Sequence, residues 1–137
     1  MRTINTDRPL TTDLAGRPIP GYDDVVYVDF DALREKNRAH QAALKERGLP
    51  ALLRLVDVAE LHSGQSHHCR RILLAIYNGD AWPLELNRLR NLDEDLQRAA
   101  LTVIEWATYS DRELHEYLPD GNGTLRHFWE REKELGE

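Results

Sequence analysis

Leu52-Leu53-Arg54-Leu55-Val56-Asp57-Val58-Ala59, then His62-Ser63-Gly64-Gln65-Ser66-His67-His68-Cys69-Arg70-Arg71-Ile72-Leu73-Leu74-Ala75-Ile76, is the stretch that decides the fold. Leu52, Leu55, Val56 and Ala59 recur at i, i+3, i+4 and i+7, which places them on one face of a helix. Cys69, Ile72, Leu73 and Ile76 repeat the same spacing after an interruption. Ser63-Gly64-Gln65-Ser66 supplies that interruption and offers two hydroxyls able to cap the second helix. Two amphipathic helices joined by a short polar turn point to an all-α fold.

Working back towards the start, Pro50 fits a first helical turn, and Gly48 is expected to end a preceding helix that starts near Asp29 or Asp31 as N-cap. Residues 1–28 contain Pro9, Pro18, Pro20, Gly16 and Gly21 and read as an extended arm, with Val25-Val26-Tyr27-Val28 as one β-prone run. Working forward, Asn78-Gly79-Asp80 stops the second helix, and Pro83 opens a short turn through Leu84, Leu86 and Leu89. Asp93-Glu94-Asp95 puts negative charge at the start of a long helix whose inner face reads Leu96, Ala99, Ala100, Val103 and Trp106. Ser110-Asp111-Arg112-Glu113 has the spacing of a capping box, and Thr124 is the expected cap of a last helix carrying Leu125, Phe128 and Trp129. The expected organisation is a single-domain helical bundle over residues 29–137 with an N-terminal arm over 1–28.

The 137 residues have the size of one domain, and 31% charged against 41% apolar residues suits a folded, well-solvated chain. No run approaches the ~18 apolar residues of a membrane helix, and no secretory leader opens the chain, so a cytoplasmic protein is expected. The single cysteine, Cys69, fits a reducing compartment. Residues 1–48 carry 8 basic and 8 acidic side chains, and residues 49–137 carry 10 and 16, so the whole net charge of −6 lies in the second part. That balance opposes unaided nucleic-acid binding, which usually starts from a positive surface.

Four clusters bear chemistry. His62, His67, His68 and Cys69 are metal-ligand types, but consecutive residues on a helix point about 100° apart and cannot converge on one ion, so neither a metal nor another cofactor is expected. Ser66 or Cys69 beside histidine lacks the glycine-flanked elbow and orienting third group of a nucleophilic site. Arg70, Arg71, Arg88, Arg90 and Arg98 could form a basic strip for phosphate or an acidic partner; the competing reading is a solvated face paired with Asp93, Glu94 and Asp95. The acids, including Asp93, Glu94, Asp95, Glu130, Glu132 and Glu134, read either as solvated helix faces or as a negative row complementary to a partner's nucleic-acid groove. Of the tryptophans, Trp106 reads as core, and Trp82, between Ala81 and Pro83, as an exposed contact residue.

Ala51-Leu52-x-Arg54-Leu55-x-x-x-Ala59, Ser63-Gly64-Gln65-Ser66, Leu73-Leu74-Ala75-Ile76-Tyr77-Asn78 and Leu92-Asp93 together resemble an uncharacterised family of small proteins carried on plasmids and integrated elements of proteobacteria. The likeness covers about residues 49–131. It implies an accessory gene of a mobile element, with no activity to carry over. In that family the positions of His67 and His68 look arginine-like and that of Cys69 aliphatic, which weakens the metal reading. The combined expectation is a non-enzymatic protein that binds a host or element-encoded protein, in its concrete form an inhibitor of a bacterial defence system such as an anti-CRISPR protein. Its expected contact residues are Arg70, Arg71, Trp82, Arg88, Arg90, Asp93, Glu94 and Asp95. The second reading is a nucleic-acid-associated plasmid factor using the arginines, and the third a metal-binding protein built on the histidines and Cys69.

Overall fold

The computed structural model describes residues 3–4 and 28–136. The remainder of the expected arm, including most of the β-prone run at 25–28, lies outside the described residues. The chain forms two compact units, residues 1–40 and 41–137. In the first, β1 (Thr3–Ile4) pairs antiparallel with β2 (Val28–Asp29), Thr3 opposite Asp29. Asp29 then starts α1 (Phe30–Ala59), its Oδ1 accepting the Asp31 and Ala32 amides at 3.1 and 3.0 Å.

The expected helix end at Gly48 is corrected: α1 runs unbroken through Gly48 and Pro50 to Ala59. Gly48 is buried, and a Cβ there would lie 2.4 Å from Trp106 Cε3, so the missing side chain makes room for the indole. Pro50 costs the helix a hydrogen bond and a steric clash, together about 3 kcal/mol. Leu44 before it and Leu52, Leu55, Val56 and Ala59 after it are all buried, at roughly 1.5–3 kcal/mol per large side chain, which is enough to hold the helix together across the proline.

In the second unit, α2 (Gly64–Tyr77) is the central helix, packed against α3 (Leu86–Arg90), α4 (Glu94–Tyr109) and α5 (Gly121–Glu134). Seven of its residues, Ser66 and Cys69 through Leu74, are buried, so it is covered on more than one face. The core joins these to Leu96, Ala100, Val103 and Trp106 of α4 and to Leu125 and Phe128 of α5. Helix α4 runs antiparallel to α1, with Arg47 paired to Glu105 and Arg54 to Asp95. The chain is therefore all-α, as its periodicity indicates. Among the described residues no helix is long and apolar enough to cross a membrane.

Two caps fall elsewhere than expected. Ser110 closes α4 and exchanges hydrogen bonds with the Arg112 backbone, while Glu113 opens the 3-10 turn Leu114–Tyr117 with its amide on Glu116 Oε2. Asp120, three residues before an amide it can reach, caps α5 in place of Thr124 through the Gly123 amide. Gly121 permits that early start, because a Cβ there would sit 1.8 Å from the His115 carbonyl oxygen.

Candidate functional site

The Ser63-Gly64-Gln65-Ser66 turn does what its hydroxyls suggest. Ser63 Oγ accepts the Ser66 amide and Ser66 Oγ accepts the Ser63 amide, both at 3.1 Å, a reciprocal cap at the start of α2. One turn on, α2 turns Arg70 and Arg71 inward, where they meet Glu132 of α5. Glu132 is completely buried. Its two oxygens are divided between the arginines, Oε2 taking Arg70 Nε and Oε1 taking Arg71 Nε, each at 2.7 Å. His67 Nδ1 lies 2.6 Å from Oε1, off the line of a straight hydrogen bond, and its Nε2 is 2.9 Å from Arg88 Nη1.

Arg70, together with Arg131 of α5, also closes the end of α1. Arg70 Nη1 donates to the carbonyls of Ala59 and Leu61 at 2.8 and 3.1 Å, and Arg131 donates to those of Glu60 and Leu61 at 3.3 and 2.9 Å and to His62 Nδ1 at 2.6 Å. Helix carbonyls at a C-terminus have no partner of their own and carry the negative end of the macrodipole, so guanidinium groups suit them in geometry and in charge. A cavity of about 670 Å³ opens beside this junction, its lining including His62, Gly64, His67, Arg70, Arg131 and Glu134.

Burial pushes the Glu132 carboxyl up, but the hydrogen bonds from Arg71 and Arg70 and the nearby charge of His67 and Arg70 outweigh it and hold the group below its ordinary value. Burial, with Arg88 and His67 beside it, pushes His68 down. Burial lifts the Cys69 thiol to about 11 despite Arg54 and Arg70. Cys69 faces the core with no exposed surface, so it packs as a small hydrophobe.

The expected contact residues fall into three groups. Arg70, Arg71 and Arg88 are buried, which corrects their reading as a surface strip and as partners of Asp93, Glu94 and Asp95; Arg88 is held by Glu85 and by His67. Trp82 is half-buried, set edge-on to Trp129 at 5.6 Å beneath the Arg71 guanidinium at 4.7 Å, which corrects its reading as an exposed residue. Arg90, Asp93, Glu94 and Asp95 are exposed, Glu94 pairing with Arg98 and Asp95 with Arg54. Of the metal-ligand types, His67 and His68 are neighbours at 5.4 Å between rings, while His62 turns to Arg131 and Cys69 to the core. Among the described residues no three such groups are placed to hold a metal ion.

Glu132 and Arg131 were not singled out by the sequence pattern, where Glu132 reads as one of a solvated acidic row. A signal was present. Leu125, Phe128 and Glu132 continue one helical stripe at i, i+3 and i+7, so the carboxylate stands where an apolar residue would be expected. A family model described as a family of unknown function, DUF7673, matches residues 49–133, and the chain belongs to that family. No curated protein and no solved structure matches the chain.

Proposed function

We propose that this member of DUF7673 is a non-enzymatic interaction protein that docks on a basic partner protein. In its finer form it is an accessory product of a mobile genetic element that occupies the nucleic-acid groove of a host defence effector, as an anti-CRISPR protein does. One observation carries the reading: the stretch from Leu84 through α3 to the start of α4 turns outward both apolar and acid surface. Asp93, Glu94 and Asp95 are exposed, Asp93 makes no side-chain cap to its own helix, and Leu84 and Leu86 stand exposed just before them. Exposed leucines and carboxylates on one stretch of chain combine burial energy with charge steering towards a positive groove. The reactive types of the 62–71 block are, by contrast, engaged in structure: Ser66 in its cap, Cys69 in the core, and Arg70 and Arg71 on Glu132.

Of the arginines that a nucleic-acid reading needs, Arg90 and Arg98 are at the surface and Arg70, Arg71 and Arg88 are not. Target cleavage by a panel of purified CRISPR effector complexes, assayed with and without the chain, tests the proposal. Inhibition is expected with at least one effector and is lost when Asp93, Glu94 and Asp95 are together replaced by lysine. Inhibition that survives this charge reversal, or none with any effector, removes the reading. A salt-sensitive gel shift of DNA by the chain alone favours the nucleic-acid alternative.

A further inference from the structure

The junction of α1, α2 and α5 holds more positive charge than its own acids neutralise. Arg70 and Arg71, both more than nine-tenths buried, share the single carboxylate of Glu132, and Arg131 adds a third guanidinium beside them. Buried charges are normally matched, because taking an unpaired ion out of water is costly. Two donors confirm that the matching is incomplete within the described residues. Arg71 Nη2 is buried without a partner, and Arg70, which lines the cavity, uses Nε and Nη1 but makes no hydrogen bond through Nη2. Gly64, the first residue of α2, lines the same cavity, so the positive end of a 14-residue helix adds to the charge there.

We infer that this cavity is a binding site for a small phosphate ester, its phosphoryl oxygens taken by Arg70 Nη2 and the start of α2, with Arg131, whose Nη1 and Nη2 hold the end of α1, adding positive charge beside them. At about 670 Å³ it falls within the ~300–1,000 Å³ of pockets that admit a whole small ligand, so more than the phosphoryl group can enter. His62, whose Nδ1 takes Arg131, leaves its Nε2 as a further donor on the wall. Glu134 is the one acid lining the cavity. Its charge opposes a highly charged ligand, so a monoester fits better than a polyphosphate. The site is separate from the 84–95 stretch, and its test does not depend on that reading.

Gly64 makes a clean probe. A Cβ there meets nothing within 4 Å, and a glutamate at a first helical position is favoured by the helix dipole, so Gly64→Glu should fold at least as well as the parent while placing a negative charge at the cavity mouth. Thermal melts of the full chain are run in inorganic phosphate and in chloride at matched ionic strength, with calorimetric titration of the same anion. Phosphate should raise Tm of the parent in a saturable way, and Gly64→Glu should weaken apparent binding by about tenfold or more with its chloride Tm unchanged or higher. No phosphate-specific rise in the parent, or the same rise in Gly64→Glu, overturns the site. A response to a 5′-phosphorylated oligonucleotide that inorganic phosphate does not reproduce also overturns it, in favour of nucleic acid as the ligand.

Discussion

Within the second unit, the 41–59 part of α1 is held at two places by opposite chemistry. At Gly48 the contact is bare backbone against the indole of Trp106, both buried, with the Arg47–Glu105 and Arg54–Asp95 pairs on the outside. At Ala59 to Leu61 the backbone is held by polar contacts: two arginines from other helices hold the last carbonyls, and Glu132 ties α5 to α2. The first joint depends on shape and tolerates loss of its outer charges. The second depends on the pairing with Glu132, because Arg70 or Arg71 without it is a buried ion with no counter-charge. Apolar packing degrades gradually and a buried charge network fails abruptly, so the two joints should respond very differently to comparable insults.

Glu132→Gln is the sharpest way to separate them. The amide keeps the shape but leaves Arg70 and Arg71 buried without a counter-charge, and a loss of about 3–5 kcal/mol is expected in urea unfolding. Glu132→Met combined with Arg70→Met and Arg71→Met should recover a large part of that loss, since an apolar core has no ions to satisfy. If Glu132→Gln unfolds at the parent's urea midpoint, the polar joint is not held by charge. Acid tests the same bond. A carboxyl held below its ordinary value stabilises the fold above the unfolded Glu pKa of about 4.3, and that contribution disappears as pH falls through the lower folded value. His68, pushed down, adds an earlier loss that begins as pH falls through about 6.5, where the unfolded chain takes up a proton and the folded chain does not. Urea midpoints should therefore fall in two stages on acidification, and His68→Asn should flatten the first.

Gly48→Ala is the matching insult to the apolar joint. Alanine favours a helix by about 1 kcal/mol over glycine, so an exposed site would gain stability. Here the new Cβ would sit 2.4 Å from the Trp106 ring, and overpacking of this kind costs about 1–3 kcal/mol. A net loss up to about 2 kcal/mol is expected, read in the urea midpoint, with Trp106 emission shifting as the ring moves. A net gain in stability would mean that the indole yields freely and that the joint is looser than its geometry.

The two joints also differ in how far the sequence revealed them. Trp106 was legible as core because it continues the stripe Leu96, Ala99, Ala100 and Val103, and each helix announces its own buried face through spacing. Gly48 was misread because a glycine that ends a helix and one that admits a neighbouring ring look alike until the neighbour is known. Glu132 lies 61 and 62 residues from Arg71 and Arg70, and no local period links a carboxylate on one helix to guanidiniums on another. Their residue type argued for solvent, and position on the helix argued for the interior; position prevailed because each had a partner to bring its charge inside.

Ser63→Ala strikes the turn between α1 and α2, just past the polar joint, and its effect is expected to fall below those of the two joints. It removes the hydroxyl that accepts the Ser66 amide and the partner of the Ser66 hydroxyl at 2.9 Å, and loss of such a cap typically costs about 1 kcal/mol. A larger loss, approaching that of Glu132→Gln, would show that the cap also sets the aim of Arg70 one turn further on. Amide exchange of the first turn of α2 distinguishes the two, since a simple cap frays locally while a misaimed Arg70 loosens α5 as well.

The smallest effect is expected from Asp95→Asn, and it completes the contrast by holding chemistry constant. Arg54 Nη2 and Asp95 Oδ2 are 3.0 Å apart, close to the 2.7 Å of Arg70 and Glu132, and both pairs join a guanidinium to a carboxylate on another helix. Arg54 and Asp95 are each more than half exposed, whereas Arg70 and Glu132 are almost wholly enclosed. In water the free partner is simply rehydrated, so Asp95→Asn should leave the urea midpoint within error of the parent, and the side-chain bond from Arg54 that holds the Asp95 carboxyl below its ordinary value should do little for the fold. A midpoint drop comparable to that of Glu132→Gln would mean that distance, and not burial, decides what an arginine–carboxylate pair contributes in this protein.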